Sequence, residues 1–501
     1  MAQLLKDLGE PSEFWEYFEQ LSKIPHCSGN EGKMREFIKN EAEKLGCKTQ
    51  VDHIGNLFVK SAKKNTENDQ SKVVLQCHMD MVCEKNEGIT HDFSKDPLQL
   101  QLIEIKGEKW LTAKGTTLGA DNRVGIAYLL TLMKKLYSKE LQFDPLLIDM
   151  LFTVDEEVGL VGVFNIDKKL VEGNYLINLD SEEDDRFTIG CAGGINTIGE
   201  IKFKYISVKK YIKNAVPIKL SVSGLLGGHS GVDIHRDRAN SIKIMSKVLW
   251  KVNNEYSICI HSINGGNRAN AIPREAQAIV FVENNKVSEL RTFIDQIIRE
   301  IKLGIAKIEP NMVIKVDLLQ DFENKFVFSE MLKNKLLHML YVMPYGPISM
   351  HPKIPNLVYT STNLASIKTH NEVISITTSQ RSLHEISKKV IYEKIEALFK
   401  LTDLDIHISH NGNYPGWDPD FQAELLKKAK KTYKNLFKKD AIIQAIHAGL
   451  ECGILKQHFP EIDMISLGPT VEGAHSPEER LKIQSVEKIW KFLIKLLNNL
   501  V

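Results

Sequence analysis

Three short, almost wholly apolar runs constrain this chain most: KVVLQCHMD (72–80), PLLIDMLFTVD (145–155) and YLINLD (175–180). None shows the apolar/polar alternation of a strand with one wet face, so each reads as a strand buried on both faces, as in a mixed or parallel sheet covered by helices. NRVGIAYLLTLMKKL (122–136) supplies an amphipathic helix between the first two. This β–α–β rhythm argues for an α/β layer sandwich. All three runs end in a histidine or an acid, at the strand ends where open α/β sheets gather their ligands.

At 501 residues the chain exceeds one compact core; domains of roughly 100–200 residues imply two or three. Lys+Arg 65 against Asp+Glu 64 gives a net charge of +1. That balance gives no support for nucleic-acid binding or a basic membrane-facing surface and leaves small molecules as the default ligand. The start, MAQLLKDLGEPSEFWEYFEQ, lacks the apolar core of a signal peptide. No run approaches roughly 18 apolar residues, so no membrane span is expected. Seven scattered cysteines, 27, 47, 77, 83, 191, 259 and 452, form no Cys-x-x-Cys pair. Free thiols and a cytoplasmic location follow as expectations.

At the N-terminus, PSEFWEYFEQLSK reads as a helix. Ser28-Gly-Asn-Glu31 has the spacing of a capping box ahead of a second helix that Gly46 would stop. From about residue 200 the pattern changes. Strand 217–224, helix 238–252, strands 256–263 and 276–283, helix 287–302 and strand 312–319 follow the β-α-β-β-α-β order of a ferredoxin-like unit. The stretch after it reads α-β-β-α-β, the same order with its first strand missing. The expected architecture is a catalytic domain of residues 1–190 and 411–501 interrupted by an α+β lid of residues 191–410. The lid divides into units of about 210–320 and 321–410, and Gly-rich CAGGINT stands as a hinge neighbourhood.

His78, Asp121, Glu157, Asp180 and His475 stand at strand ends or in the loops that follow. Each alone has an ordinary explanation: Asp121 precedes a helix and suits an N-cap, and Asp155-Glu156-Glu157 suits a solvated turn. Their ordered recurrence on core strands weakens those explanations. Imidazole and carboxylate without thiolate suit zinc, manganese or cobalt. Asp80 lies on the same strand face as His78 and can orient its ring. Glu156, beside a ligand, has the place of a general base.

Taken in order, LQCHMDMV, LGADN, DEEVGL, NLDSEE, GGHSGVDIH, NAIPREA, HAGLECG and GPTVEGAHSPEERL resemble the M20 metallopeptidases, and among them the aminoacyl-histidine dipeptidases, over nearly the whole chain. The resemblance implies a zinc-peptidase-like α/β/α catalytic domain whose lid holds two ferredoxin-like βαββαβ-type units. It implies two Zn²⁺, with Mn²⁺ or Co²⁺ as substitutes: one held by His78 and Asp180, the other by Glu157 and His475, with Asp121 bridging through a cis bond to Asn122. Asp80 would orient His78, and Glu156 would deprotonate the bridging water. His229 would contact the oxyanion from the lid. Asn270 and Arg381 would bind substrate, Arg381 by its carboxylate, and His447, Gly449 and Glu451 read as a pocket loop with no step assigned. Arg123 departs from the family's usual glycine after Asp-Asn and is expected to narrow the site or alter selectivity.

The reading is a broad-specificity dipeptidase, acting on Xaa-His dipeptides among others, as a monomer or homodimer. The alternatives are another M20 hydrolase, such as a tripeptidase or N-acyl-amino-acid deacylase, and a non-catalytic binding module on the same fold.

Overall fold

A computed structural model of the chain describes residues 5, 7–60, 71–320 and 322–501; the first four residues of the N-terminal stretch and position 321, the expected start of the second lid unit, lie outside it. The chain divides into two units, Met1–Cys191 with Trp417–Ala445 and Leu450–Val501, and Ala192–Gly416 with Ile446–Gly449.

The first unit is built on an eight-stranded sheet in the order Lys48–Val51, Leu57–Lys60, Leu147–Thr153, Lys72–His78, Tyr175–Asn178, Asp463–Ser466, Arg186–Cys191 and Ile442–Ile446. The three apolar runs are its parallel centre, with Lys72–His78 between the other two. Leu147–Thr153 and Tyr175–Asn178 are buried at every position. Continuous apolar side chains on both faces are what this double burial requires. Helices Ser12–Leu21, Gly32–Lys44, Ala120–Tyr137, Glu424–Phe437 and Ile483–Asn498 contribute buried apolar faces to the same unit.

In the second unit, strands Ala215–Ser223, Cys259–Gly265, Ala276–Glu283 and Val313–Leu318 pair in the spatial order fourth, first, third, second. Gly193–Lys202, Val358–His370, Val373–Ser382 and Ile406–Tyr414 repeat that order. The second copy therefore lacks nothing, and the expectation of a missing strand is corrected. Its first strand, Gly193–Lys202, lies upstream of the whole first copy and pairs with both Val373–Ser382 and Ile406–Tyr414. One copy is thus inserted into the other, and reading along the chain separates the strand from its partners. The two meet edge to edge at Gly265 and Ile367 in one continuous sheet. CAGGINT is strand on both sides of Ala192. The second unit also runs past the expected end at 410, because Tyr414 still pairs with Gly194. It reclaims Ile446–Gly449 because the Ala192 N–H bonds the carbonyls of Ile446 and Ala448.

Three local expectations are corrected. Ser28 does not cap the second helix, whose N-terminus has no side-chain cap. Its hydroxyl donates instead to Asp80 (2.8 Å), and Glu31 accepts from the Asp155 N–H (3.0 Å). Arg123 does not narrow a pocket: it is 1% exposed. Its guanidinium donates to the Leu118 carbonyl, lies 3.4 Å from His26 Nε2 and sits over the Phe18 ring. Burial, reinforced by this cation, pushes the His26 pKa down to about 3.

The third correction concerns the thiols. Cys27 and Cys83 form a disulfide, and the other five cysteines are free. A parallel bridge between Cys27 and Met81 brings the two cysteines, 56 apart in sequence, within reach of each other, a pairing that spacing could not reveal. The cysteine inventory therefore no longer argues for a reducing compartment. By loop-closure entropy, reduction is expected to lower stability by about 4 kcal/mol. Melting with and without reductant, beside a thiol count that starts at five, checks this; an unchanged melting temperature would contradict it.

No helix among the described residues is long and apolar enough to cross a membrane.

Candidate metal centre

His78 ends the central strand, Thr153 ends its neighbour just before Asp155-Glu156-Glu157, and Asp180 follows the strand ending at Asn178. In a parallel sheet these carboxyl ends lie side by side. Asp121 arrives from the N-terminus of the helix Ala120–Tyr137, after a left-handed turn at Gly119 (φ 63°). A Cβ there would stand 2.6 Å from Met81 Sδ, so that turn needs glycine for both its backbone and its space. The Asp121–Asn122 peptide bond is cis, as the resemblance implies. His475 sits at positive φ (62°) in the loop after the last core strand.

The structure brings the five expected ligands into two triads that share one residue. His78, Asp121 and Asp180 form one, and Asp121, Glu157 and His475 the other. His78 Nε2 lies 2.9 Å from Asp121 Oδ1 and 3.2 Å from Asp180 Oδ1. His475 Nε2 lies 3.2 Å from Asp121 Oδ2 and 2.9 Å from Glu157 Oε2. One carboxylate thus offers an oxygen to each histidine. Glu156 groups with His78 and Glu157.

Asp80 does more than orient His78. His78 Nδ1 lies 3.1 Å from the Asp80 carbonyl oxygen and 3.3 Å from Asp80 Oδ1. The same carboxylate accepts the N–H groups of Glu156 (3.0 Å) and Glu157 (3.1 Å) and the Ser28 hydroxyl. It therefore fixes both a histidine and the acidic turn. Burial works to raise its pKa, but His78, Ser28 and the Glu156 N–H outweigh burial and hold it low.

Cations fit this arrangement. With Nδ1–H directed at Asp80, a neutral His78 presents its Nε2 lone pair to two carboxylates, which is repulsive without a positive charge among them. Glu157 Oε1 is buried with no hydrogen-bond partner. Burial, helped by neighbouring carboxylates, pushes Asp180 up to about 7 and Glu182 up to about 8, and drives Glu156 well above the usual carboxyl range. The hydrogen bonds to Asp121 and Glu157 raise His475 to about 11. Buried carboxylates crowded beyond their own counter-charges, with imidazoles among them and no thiolate, are the donor set of a divalent-metal site.

Sequence reasoning missed several supports. Glu479, 1% exposed, accepts the Gly119 N–H (2.7 Å) and the Asp121 N–H (3.2 Å), fixing the approach to the shared carboxylate. Asn122 Nδ2 donates to Asp180 Oδ1 (2.6 Å). The only sequence signals were their places beside His475 and Asp121.

A match to the model of peptidase family M20/M25/M40 spans residues 74–499. The chain belongs to that family. It is therefore a hydrolase of peptide bonds, and the M20 metallopeptidases work with divalent metal. The chain is 34% identical over 490 residues to the cytosol non-specific dipeptidase of Escherichia coli (strain K12), covering 98% of each. The aminoacylhistidine dipeptidase of Vibrio alginolyticus superposes with a TM-score of 0.85 at 33% identity, covering 99% of each chain. Aminopeptidase PepT from Bacillus cereus shares the fold, with a TM-score of 0.57 at 14% identity over 98% of this chain and 99% of that one.

The remaining expected site residues belong to the second unit of this M20 peptidase, except Glu451: expected in the pocket loop with His447 and Gly449, it is instead fully buried at the start of helix Glu451–His458 in the first unit. His229 pairs with Ala271 across two short strands, and the Ser230 N–H bonds the Asn270 carbonyl. His229 Nδ1 accepts the N–H groups of Gly231 and Val232, both at 3.2 Å, so a neutral ring carries its proton on Nε2. Arg381 is 6% exposed, donates to the Tyr414 hydroxyl (2.7 Å) and leaves Nε without a partner. Gly449 lies against the Tyr414 ring, where a Cβ would come within 2.9 Å. His447 Nε2 lies 2.6 Å from the Ser361 hydroxyl. Burial, with Arg381 adding to it, pushes the His447 pKa down to about 3, so this histidine stays neutral.

Proposed function

We propose that this chain is a broad-specificity dipeptidase holding two divalent ions, zinc first among them, and that its substrates include aminoacyl- and β-alanyl-histidine dipeptides. The observation that carries the reading is Asp121, one carboxylate shared by two histidine-containing triads. The likeness to two dipeptidases over nearly their whole length supports the substrate class. His78 and Asp180 would hold one ion, Glu157 and His475 the other, with Asp121 between. When bound, the ions supply polarisation of the peptide carbonyl and a lowered pKa for water.

The chain's own groups do the rest. Glu156 accepts the proton of the attacking water and returns it to the leaving amine. Its burial supports this role, since burial raises the carboxyl's affinity for the proton it must take up and hand on. Asp80 keeps the Glu156 backbone and the His78 ring in register. His229 donates from Nε2 to the substrate's carbonyl oxygen, a role supported by the tautomer its backbone contacts impose. Arg381 binds the substrate carboxylate, supported by its buried guanidinium, with Asn270, His447 and Gly449 shaping the same subsite.

Kinetics on Xaa-His dipeptides, tripeptides and N-acyl amino acids test the assignment. Dipeptides are expected to lead in kcat/KM by at least about tenfold, about 1.4 kcal/mol in transition-state binding. Dominant deacylation or tripeptide cleavage would overturn it.

A further inference from the structure

A row of polar side chains lies in the core of the first unit. Glu451, fully buried at the start of helix Glu451–His458, accepts from Gln76 Nε2 (2.5 Å) and from the Thr153 hydroxyl (2.9 Å) through one oxygen. Gln76 Oε1 accepts from Asn178 Nδ2 (2.7 Å), and the Ser466 hydroxyl donates to Asn178 Oδ1. These residues are laterally paired in the sheet: Gln76 with Asn178, and Asn178 with Ser466.

Their places along the strands are telling. Gln76 precedes His78 by two residues, and Asn178 precedes Asp180 by two. Thr153 closes the strand that leads into Asp155-Glu156-Glu157 and pairs with His78 itself. In a strand, residues two apart share a face, so Gln76 stands one step below His78. Burying such a row costs free energy unless its groups are hydrogen-bonded in one arrangement; every side chain of the row has a partner, and of its polar atoms Glu451 Oε1 alone has none among the described residues. Glu451 is the anchor, because from a helix remote in sequence it bonds the side chains of two neighbouring strands, which are themselves linked by the Gln76 Nε2 donation to the Thr153 hydroxyl (3.1 Å). It belongs to none of the groups able to hold a metal ion directly.

We propose that Glu451 is a positioning residue for the metal cluster: it fastens Gln76 and Thr153, and through them holds the strand ends that carry His78 and the Glu156–Glu157 turn. The inference rests on the metal-site reading above. Outer partners that orient metal ligands typically govern affinity or rate by about 10–100-fold.

The test measures divalent-metal affinity of chelator-stripped protein, its melting temperature without metal, and kcat and KM on a dipeptide. Glu451→Ala is expected to weaken metal binding and lower kcat, each by about 10–100-fold, with KM nearly unchanged. Glu451→Gln keeps an acceptor oxygen toward Gln76 and Thr153 and is expected to restore metal affinity and kcat to within about threefold. If Glu451→Ala does not fold, Thr153→Val, which keeps the side-chain shape and removes one donor, is expected to weaken metal binding by about threefold or more. The proposal is overturned if the alanine variant loses only metal-free melting temperature, if glutamine fails as badly as alanine, or if Thr153→Val binds metal as the unaltered protein does. A different result, unaltered protein that takes up no divalent metal, would sink the metal-site reading itself.

Discussion

Glu156→Gln is expected to lower kcat by about 1000-fold or more while the protein keeps its metal. The amide has the size of the carboxylate, so the turn should hold. The Glu156 N–H remains on Asp80, and Glu157, a member of the triad with Asp121 and His475, keeps its own bond to Asp80. What disappears is the ability to take a proton. A positioned general base contributes about 10²–10⁴-fold, and in the proposed mechanism the same group serves twice, as acceptor from water and as donor to the leaving amine. Replacing a buried carboxyl surrounded by Asp180, Glu451 and Glu157 also removes like-charge repulsion, so the variant should melt no lower than its parent. Metal analysis beside steady-state kinetics reads the result. Substantial activity with full metal content would remove Glu156 from the chemistry.

Asp121→Ala is expected to abolish activity by a different route, through loss of both ions. The residue belongs to both triads, and its two oxygens face different histidines. Without it, His78 keeps only Asp180 and His475 keeps only Glu157. Two donors each are too few for tight tetrahedral binding. Metal content after dialysis should fall from about two per chain to well below one, whereas His475→Ala should spare the His78 side. Retention of one ion at unchanged affinity in Asp121→Ala would show that the triads do not share this carboxylate.

Much of this was written locally in the chain. Buried parallel strands follow from unbroken apolar runs such as LLIDMLFTV, because a strand covered on both faces has no reason to alternate. Three of the five proposed ligands, His78, Glu157 and Asp180, were legible because each sits where such a run stops, and the residue types of the set already suited a divalent ion. The family motifs added order and roles to residues that singly suited caps and turns.

What stayed hidden involves partners far apart in sequence, for which no local pattern exists. Ser28 and Glu31 have the spacing of a capping box, yet a carboxylate 52 residues away and a backbone N–H 124 residues away are their partners. Cys27 finds Cys83 only because the loops containing them are brought together. Arg123 suggested a narrowed site, but the interior holds a carbonyl, an imidazole and an aromatic face to receive it. The strand Gly193–Lys202 waits more than 150 residues for its partners, so the second copy looked incomplete.

The α/β layers and the residue types of the proposed metal set were thus the sequence's own determination, since hydrophobic period and side-chain chemistry act within a few residues. Tertiary structure alone decided that Asp121 is shared, that Asp80 also holds the acidic turn, and that Glu451 anchors the strands beneath. Hydrogen-bond geometry depends on which strand ends the folded sheet sets side by side.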